Sequence, residues 1–220
     1  VNIGPYAKNP VEEMRWLVQT IQAVVEAPLS IDSTKADVIE EGLKLARKKS
    51  VINSTSADAE KMDIIFGLAK RYNAQVIGLT MDKSGVPDNK EKRLELAQAI
   101  VAKAIERGIN TEDLYLDPIV LPLNIAQAQG LKVLESIREF RLLCNPAPQT
   151  VFGLSNLSQG AHKARSLINR TFLTMAIANG LTSVILDPLD KKLMDALITA
   201  ELILNRNIYC DSFLDAYRKK

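Results

Sequence analysis

Residues 50–80 read SVINSTSADAEKMDIIFGLAKRYNAQVIGLT and contain a strand pattern, a helix pattern and a second strand pattern. The two ends, Ser50–Ser54 and Ala74–Thr80, are β-rich runs of the kind found in parallel strands that are buried on both faces. One apolar helix face between them is marked by Met62, Ile65, Phe66 and Ala69. The stretch is therefore predicted to be a βαβ unit.

The same alternation continues along the whole chain. Seven runs have strand character: Val1–Gly4, Leu29–Ser33, Ser50–Ser54, Ala74–Thr80, Leu114–Val120, Thr150–Ser155 and Ser183–Asp187. A (β/α)₈ TIM barrel needs eight parallel strands. Because the sequence opens inside a strand-like run and without Met, we expect the first βα unit to lie upstream of Val1. The predicted fold is thus an α/β barrel, with residues 1–220 as one N-terminally incomplete domain.

An open, doubly wound sheet is the competing architecture. The dinucleotide-binding form of that fold carries a G-x-G-x-x-G motif after its first strand, and this motif does not follow the first visible strand here. The helix signals fit either fold. Asp88 followed by Glu91 resembles a capping box, and Gly108 and Gly180 stand where helices should end. A second apolar helix face comprises Leu94, Ala97, Ile100, Val101 and Ala104.

Composition excludes several classes of function. The 28 basic and 26 acidic residues give a net charge of +2, which makes no electrostatic case for binding nucleic acid or an anionic membrane. Cys144 and Cys210 form no disulfide framework, and we expect reduced thiols in a cytoplasmic protein. His162 is the only histidine, so neither a His-based triad nor a multi-His metal site is predicted. We expect His162 to be a solvated loop residue.

Small polar side chains lie at or near the ends of four of the predicted strands. They are Asp32, Asn53, Asp117 and Asn156, and Asn2 lies near the end of the first visible strand. In a parallel barrel these positions converge at the C-terminal mouth, where barrel enzymes have their active sites. Carboxylates and amides together suit a heterocycle rich in hydrogen-bond donors and acceptors, and a 2-amino-4-oxo-pterin ring is such a ligand.

Each of these residues also has a purely structural interpretation. Asp32 and Asn53 could cap the helices that follow them, because Asp and Asn are favoured at that position. Asp117 precedes Pro118 and could belong to a plain turn, while Asn156 could simply be solvated in a polar loop. The recurrence of the pattern on four strands favours a binding site.

At these residues the chain resembles the methyltetrahydrofolate:corrinoid/iron–sulfur protein methyltransferases of the acetyl-CoA pathway, and the resemblance extends over essentially its whole length. The most specific stretches are Asp32-Ser33-Thr34, Ile52-Asn53-Ser54-Thr55, Ile77-Gly78-Leu79-Thr80-Met81, Leu114-Tyr115-Leu116-Asp117-Pro118, Gly153-Leu154-Ser155-Asn156-Leu157-Ser158-Gln159 and Leu167-Ile168-Asn169-Arg170-Thr171-Phe172-Leu173.

The resemblance implies a pterin-binding barrel, usually a homodimer, that takes methyltetrahydrofolate as its substrate. It implies that Asp32, Asn53 and Asp117 bind the pterin ring and that Asn156 lies near the N5 atom that carries the methyl group. Gln159 and Arg165 fall in a loop that the family places beside the substrate, although Gln159–Ser166 is about one residue longer here. The methyl group would pass to the cobalt of a corrinoid carried by the partner, a corrinoid/iron–sulfur protein.

Four alternatives remain open. Dihydropteroate synthases share this barrel, but their late Arg-x-His motif is missing from the final strand, Val184-Ile185-Leu186-Asp187-Pro188. The folate domain of cobalamin-dependent methionine synthase is one module of a much larger chain. A corrinoid methyltransferase of a methylamine or betaine pathway is a third possibility. The fourth is a non-catalytic, folate-binding subunit of a corrinoid complex.

Overall fold

A ladder of parallel strands forms the centre of the protein, whose computed structural model describes residues 1–218. Its five strands pair in chain order: β1 (Ser30–Asp32), β2 (Val51–Ser56), β3 (Gln75–Leu79), β4 (Leu114–Asp117) and β5 (Gln149–Thr150). Residues 219 and 220, the end of the predicted domain, lie outside the described residues.

One helix precedes β1, and the others connect the strands or follow the last of them. They are α1 (Pro10–Gln22), α2 (Ala36–Leu45), α3 (Ala59–Tyr72), α4 (Lys90–Glu106), α5 (Leu123–Ala126), α6 (Gln129–Phe140), α7 (Arg165–Ala178), α8 (Lys191–Ile203) and α9 (Phe213–Arg218). Within residues 1–218, no helix is long and apolar enough to cross a membrane.

Backbone hydrogen bonds extend the ladder beyond both outer strands. The carbonyl of Val1 accepts from Asp32 N at 2.9 Å, so Val1 lies parallel to β1. At the other end, Ser183 N donates to Thr150 O and Ile185 N to Phe152 O, each at 3.0 Å. The seven predicted strand segments therefore lie side by side in chain order, although several are shorter than predicted. Val1–Gly4 contributes only the pairing of Val1, and a short 3₁₀ helix (Leu154–Asn156) replaces the end of Thr150–Ser155.

The predicted helix faces and helix ends are largely confirmed. Met62, Ile65, Phe66 and Ala69 are buried on α3. Gly108 and Gly180 follow the ends of α4 and α7 with φ of +69° and +99°, in the left-handed region that favours glycine at a helix end.

Two details of α4 differ from the prediction. Its N-cap is Asn89, whose side chain accepts from Lys92 N, so the predicted start at Asp88 was wrong by one residue. The buried face includes Arg93 and Leu96, while Leu94 is only partly buried. The buried face of α4 therefore includes an arginine and differs from the purely apolar face that the sequence predicted.

The apolar side chains form two buried clusters. The first packs α1–α4 against outward-facing strand residues such as Ile31, Ile52, Val76 and Leu116. The second lies around α6, α7 and α8 and includes Phe152, whose ring is 5.6 Å from that of Phe172. Helices therefore cover the outer side of the ladder.

Helix α4 approaches β3 closely at Gly78. A Cβ on Gly78 would lie 2.7 Å from Cγ2 of Ile100, which is fully buried. Only glycine permits this helix–strand distance, because real Cβ atoms are not found so close to another carbon.

We predict that Gly78→Ala lowers the free energy of unfolding by about 1–3 kcal/mol, since the added methyl group overpacks the contact with Ile100. Gly67→Ala is the matched control, because Gly67 is exposed on α3 and nothing lies within 4 Å of the added atom. The control should gain about 0.5–1 kcal/mol from the better helix propensity of alanine. Urea denaturation measures both, and equal stability of the two variants would contradict the prediction.

Candidate active site

The register of the strands sets which side chains share the inner face of the ladder. Asp32 pairs with Asn53, Asn53 with Ile77, and Ile77 with Tyr115. Successive side chains of a strand point to opposite faces, so these four share the face opposite to the helix-packed residues. The carboxylate of Asp32 and the amide of Asn53 therefore stand side by side at the C-terminal ends of β1 and β2.

The capping interpretation of Asp32 and Asn53 is wrong. Helix α2 begins after Lys35 and helix α3 after Asp58, and neither N-terminus has a side-chain cap. Within residues 1–218, the side chains of Asp32 and Asn53 make no hydrogen bond. Their polar atoms are free to bind a ligand.

Asp117 lies on the same inner face, further along the strands. It pairs with Leu79, two residues beyond Ile77, so it stands above the level of Asp32 and Asn53. One carboxylate oxygen accepts from Ile119 N at 2.7 Å and holds the turn through Pro118. The turn interpretation is thus correct for that oxygen, while the other has no hydrogen-bond partner in the part of the chain that the structure describes.

Three further contacts fix the position of Asp117. Thr80, which is fully buried, donates to the Asp117 carbonyl from its backbone N at 3.0 Å and from its hydroxyl at 2.9 Å. Nε of Arg93 donates to the Pro118 carbonyl at 2.9 Å. Ile119 has φ of +62°, a left-handed conformation that is strained for a β-branched residue. The turn is therefore held in a geometry that its own sequence does not prefer.

Arg93 was not predicted from the sequence to belong to the site. Arg93 lies beside Leu94 in the helical pattern of α4. An arginine at a helical position that is predicted to be buried indicates a special role, because arginine is rarely buried without a partner. The side chain is fully buried, and its two terminal nitrogens have no hydrogen-bond partner among residues 1–218. Burial lowers the pKa of Arg93, and the charge of Asp88 partly offsets this effect.

Burial also changes the acidity of Asp117. Removal of the carboxyl group from water raises the pKa of Asp117 to about 7, and the hydrogen bond from Ile119 N opposes this only in part. At this pKa the protonated and the ionised forms of the carboxyl group are both populated near neutral pH. Such a group can meet a ligand either as an acceptor or as a donor.

We predict that Asp117 makes the protein less stable as the pH rises. A carboxyl pKa that is higher in the folded than in the unfolded chain means that the folded state binds more protons, so stability falls between about pH 4 and pH 7 and then levels off. Asp117→Asn mimics the protonated form and removes this loss. The melting temperature of Asp117→Asn minus that of the unmodified protein is measured at about pH 5 and about pH 8. This difference should be larger at about pH 8. A constant difference would refute the raised pKa.

A cleft of about 330 Å³ lies beside Asp32. The chain after β1 forms one wall, with Ser33, Thr34 and Lys35, and the segment from Asn2 to Pro5 forms the other. Asn2 uses its side-chain oxygen to accept from Gly4 N at 2.6 Å, so it holds its own turn. The cleft gives Asp32 access to solvent and to a ligand.

The remaining predicted site residues follow β5 in one loop. Asn156 ends the 3₁₀ helix and is exposed, as are Gln159 and Arg165. Arg165 is the first residue of α7 and lines a separate cavity of about 390 Å³ together with His162, which is exposed as predicted. The structure thus groups Asp32, Asn53 and Asp117 on the strands. It places Asn156 and Gln159 between β5 and α7, and Arg165 at the start of α7.

Other reactive side chains are few. Both cysteines are free, and Cys144 donates its thiol to the Pro146 carbonyl at 3.3 Å. Among residues 1–218, no group of three or more His, Cys, Asp or Glu side chains is placed to hold a metal ion.

A parallel α/β ladder with carboxylates and an amide at its C-terminal strand ends is the arrangement found at the active-site end of parallel-barrel enzymes. The sequence model of the family described as pterin binding enzyme matches residues 4–187. The chain belongs to this family.

Relatives of known function are similar over most of the chain. A methylcorrinoid:tetrahydrofolate methyltransferase of Eubacterium limosum is 28% identical over 221 residues, which cover 98% of this chain and 80% of that protein. The methionine synthase of Mycobacterium leprae is 29% identical over 189 residues, covering 81% of this chain but only 16% of the synthase.

Solved structures support the fold. The dihydropteroate synthase of Coxiella burnetii in complex with pteroic acid superposes with a TM-score of 0.70 at 14% identity, covering 93% of this chain and 79% of that chain. The dihydropteroate synthase of Yersinia pestis gives 0.66 at 18% identity, covering 89% and 78%. At this level of identity the similarity establishes the architecture of the pterin-binding barrel and not the reaction.

Proposed function

We propose that this protein transfers a methyl group between N5 of tetrahydrofolate and the cobalt of a corrinoid protein. The observation that carries the proposal is the alignment of Asp32, Asn53 and Asp117 on one inner face, in a chain of the pterin-binding family. Similarity to the methylcorrinoid:tetrahydrofolate methyltransferase supports this reaction over the others known in the family.

The three strand residues are suited to the pterin ring. Carboxylates accept from the 2-amino group and the neighbouring ring N–H, while Asn53 offers both a donor and an acceptor. Asp117 provides one unpaired oxygen and loses its proton near neutral pH, since its pKa is raised to about 7. Because these side chains are already held in position by the strands, less entropy is lost when the pterin is oriented between them.

Methyl transfer requires little acid–base chemistry from the chain. The bond between the methyl carbon and N5 breaks, its electron pair stays on N5, and the proton that activated N5 remains there as the methyl group leaves. Cobalt(I) in the partner's corrinoid would supply the electron pair of the new cobalt–carbon bond and would become cobalt(III). Asn156 can stabilise protonated N5 with its amide oxygen, and its side chain makes no other hydrogen bond within residues 1–218.

The finer assignment follows the sequence resemblance. We propose that the partner is a corrinoid/iron–sulfur protein and that the reaction belongs to the acetyl-CoA pathway. Gln159, on the loop after β5, and Arg165, at the start of α7, are both exposed and are proposed to contact the bound folate. We also propose a homodimer, which would cover exposed apolar side chains such as Ile203 and Leu204 beside the groove between α7 and α8.

A spectroscopic assay tests the proposed reaction. Methyltetrahydrofolate and cob(I)alamin are mixed with the protein, and loss of the cobalt(I) absorbance is followed; the same assay is then repeated with a corrinoid/iron–sulfur protein. Turnover with either acceptor supports methyl transfer, and a strong preference for the protein acceptor supports the finer assignment. Tight folate binding without turnover on either acceptor would identify a non-catalytic folate-binding subunit instead.

We predict that Asp32→Ala and Asp117→Ala each weaken the binding of methyltetrahydrofolate by about 10–150-fold, the cost of losing a charge-assisted hydrogen bond and leaving its partner unpaired. Calorimetric titration gives the dissociation constants. Asp37→Ala is a matched control, because Asp37 is exposed on the first turn of α2. If both site variants bound methyltetrahydrofolate with unchanged affinity, the assignment of the pterin site to this inner face would be wrong.

For Asn156→Ala we expect kcat/KM to fall by about 10²–10³-fold, the range for losing one preorganised polar contact in an active site. The interaction is strongest when N5 is protonated, which is closer to the transition state than to the bound ground state, so the rate should suffer more than the affinity. Single-turnover rate and folate dissociation constant are compared in the same variant. Equal losses in both would make Asn156 a plain binding residue.

A further inference from the structure

The buried arginine of α4 has no part in the binding of the pterin ring described above. Arg93 lies near the start of α4, is fully buried, and donates from its Nε to the Pro118 carbonyl at 2.9 Å. Burial lowers the pKa of Arg93, but a guanidinium group keeps its charge at neutral pH. The turn after β4 therefore has a buried positive charge on its helix side.

Burial of this charge is costly for folding. Within residues 1–218, Nη1 and Nη2 of Arg93 have no hydrogen-bond partner, and Arg93 forms no ion pair. Gln129, which donates to the Asp88 carbonyl at 3.0 Å, also has a buried Oε1 without a partner. A buried charge that is incompletely paired opposes stability, and apolar residues often replace such charges without loss. Stability alone therefore does not account for an arginine at this position.

Arg93 binds the same peptide group that binds the carboxylate of Asp117. The Pro118 carbonyl and the Ile119 N–H are the two ends of one planar peptide group, which is trans. The carbonyl accepts from Arg93 at 2.9 Å, and the N–H donates to Oδ1 of Asp117 at 2.7 Å. In a trans peptide group these two bonds point in opposite directions. A hydrogen bond that holds the carbonyl on the helix side thus directs the N–H toward the carboxylate.

This peptide group needs a contact that keeps its orientation. Ile119 has φ of +62°, which is strained for a β-branched residue, so the turn tends to relax away from this geometry. Thr80 holds only the preceding peptide group, through the Asp117 carbonyl. In the part of the chain that the structure describes, Arg93 is the side chain that holds the Pro118–Ile119 group.

The charge of Arg93 also strengthens the hydrogen bond to Asp117. A charged donor at the carbonyl polarises the peptide group, and its N–H becomes a better donor. That N–H favours the ionised carboxylate, so it opposes burial, which raises the pKa of Asp117 to about 7.

The other groups that face Asp117 do not replace this contact. Its partner in register on β3 is Leu79, which is apolar, and β5 contributes the uncharged Gln149 and Thr150. The titratable side chains on the same inner face are Tyr115, two residues earlier on β4, and Asp32, three strands away on β1. Among residues 1–218, Asp117 forms no ion pair with any of them.

We propose that Arg93 is a positioning residue for Asp117 and acts through the Pro118–Ile119 peptide group, whose carbonyl it binds and whose N–H binds the carboxylate. Arg93 keeps this carboxylate ionised and directed toward the ligand. Its effect on folate binding rests on the proposed function, whereas its coupling to the carboxyl group requires no ligand.

Two variants test the coupling without a ligand. Arg93→Met removes the charge and the donor, while Arg93→Lys retains the charge and one flexible donor. NMR follows the chemical shift of the Asp117 carboxyl carbon against pH, and its signal is assigned by its loss in Asp117→Ala. We expect Arg93→Met to lower the acid dissociation constant of Asp117 by about 3–10-fold, the effect of weakening one hydrogen bond, and Arg93→Lys to lower it less.

The matched control is Arg107→Met. Arg107 follows the last residue of α4, is exposed, and donates from its Nε to Asp63 at 3.1 Å. This variant removes an equivalent Nε hydrogen bond at the other end of the same helix. It should leave the acid dissociation constant of Asp117 and the affinity for folate unchanged.

A double-mutant cycle with methyltetrahydrofolate tests whether Arg93 acts through Asp117. Calorimetric titration measures the effect of Arg93→Met in the unmodified protein and in Asp117→Ala. We expect the affinity to fall by about 3–10-fold in the unmodified protein and to stay nearly constant in Asp117→Ala, which has no carboxylate to position. Arg93→Lys should recover part of the loss.

A purely structural role for Arg93 gives different results. An equal loss of affinity in the unmodified protein and in Asp117→Ala, or an unchanged acid dissociation constant in the Arg93 variants, would overturn the proposal. If Arg93→Met does not fold, Arg93→Lys decides by the same two measurements. If the unmodified protein does not bind methyltetrahydrofolate, the proposed function is wrong, and the NMR titration still decides whether Arg93 controls Asp117.

Discussion

The parallel backbone hydrogen bonds between neighbouring strands are the constraint on which the rest of the protein depends. They fix the register of Asp32, Asn53, Ile77 and Tyr115, and the two-residue period of a strand then sends every second side chain inward. The outward-facing residues pack against helices, which leaves the inner face free to carry polar groups. Site and core are thus two faces of the same ladder.

The turn after β4 shows what it costs to place a carboxyl group on that inner face. Burial of Asp117 opposes its ionisation, and the left-handed Ile119 adds backbone strain of about 1–3 kcal/mol. Thr80 and the buried Arg93 hold the two carbonyls of the turn and offset this cost. A buried carboxyl group that has lost its hydration is stabilised when a ligand forms hydrogen bonds with it.

The polar groups of the molecule fall into two structural classes. Those on strands are fixed by the ladder and suit a rigid ring. Asn156, Gln159 and Arg165 are exposed and lie in the segment from the 3₁₀ helix after β5 to the start of α7. A rigid set can orient the heterocycle, while a loop can meet the reacting atom and whatever extends beyond the ring. This division matches the general behaviour of barrel enzymes, whose chemistry varies through loops on a constant scaffold.

The sequence by itself determined the order of strands and helices, the buried face of α3, the helix ends at Gly108 and Gly180, and the polar residues at the strand ends. These features depend on local period and on the conformational freedom of glycine, so they are readable along the chain. Only the tertiary structure decided that Asn89 and not Asp88 caps α4, that Arg93 is buried behind the Asp117 turn, and that Arg165 lines a different cavity from Asp32. It also raised the pKa of Asp117, because desolvation depends on neighbours far apart in sequence.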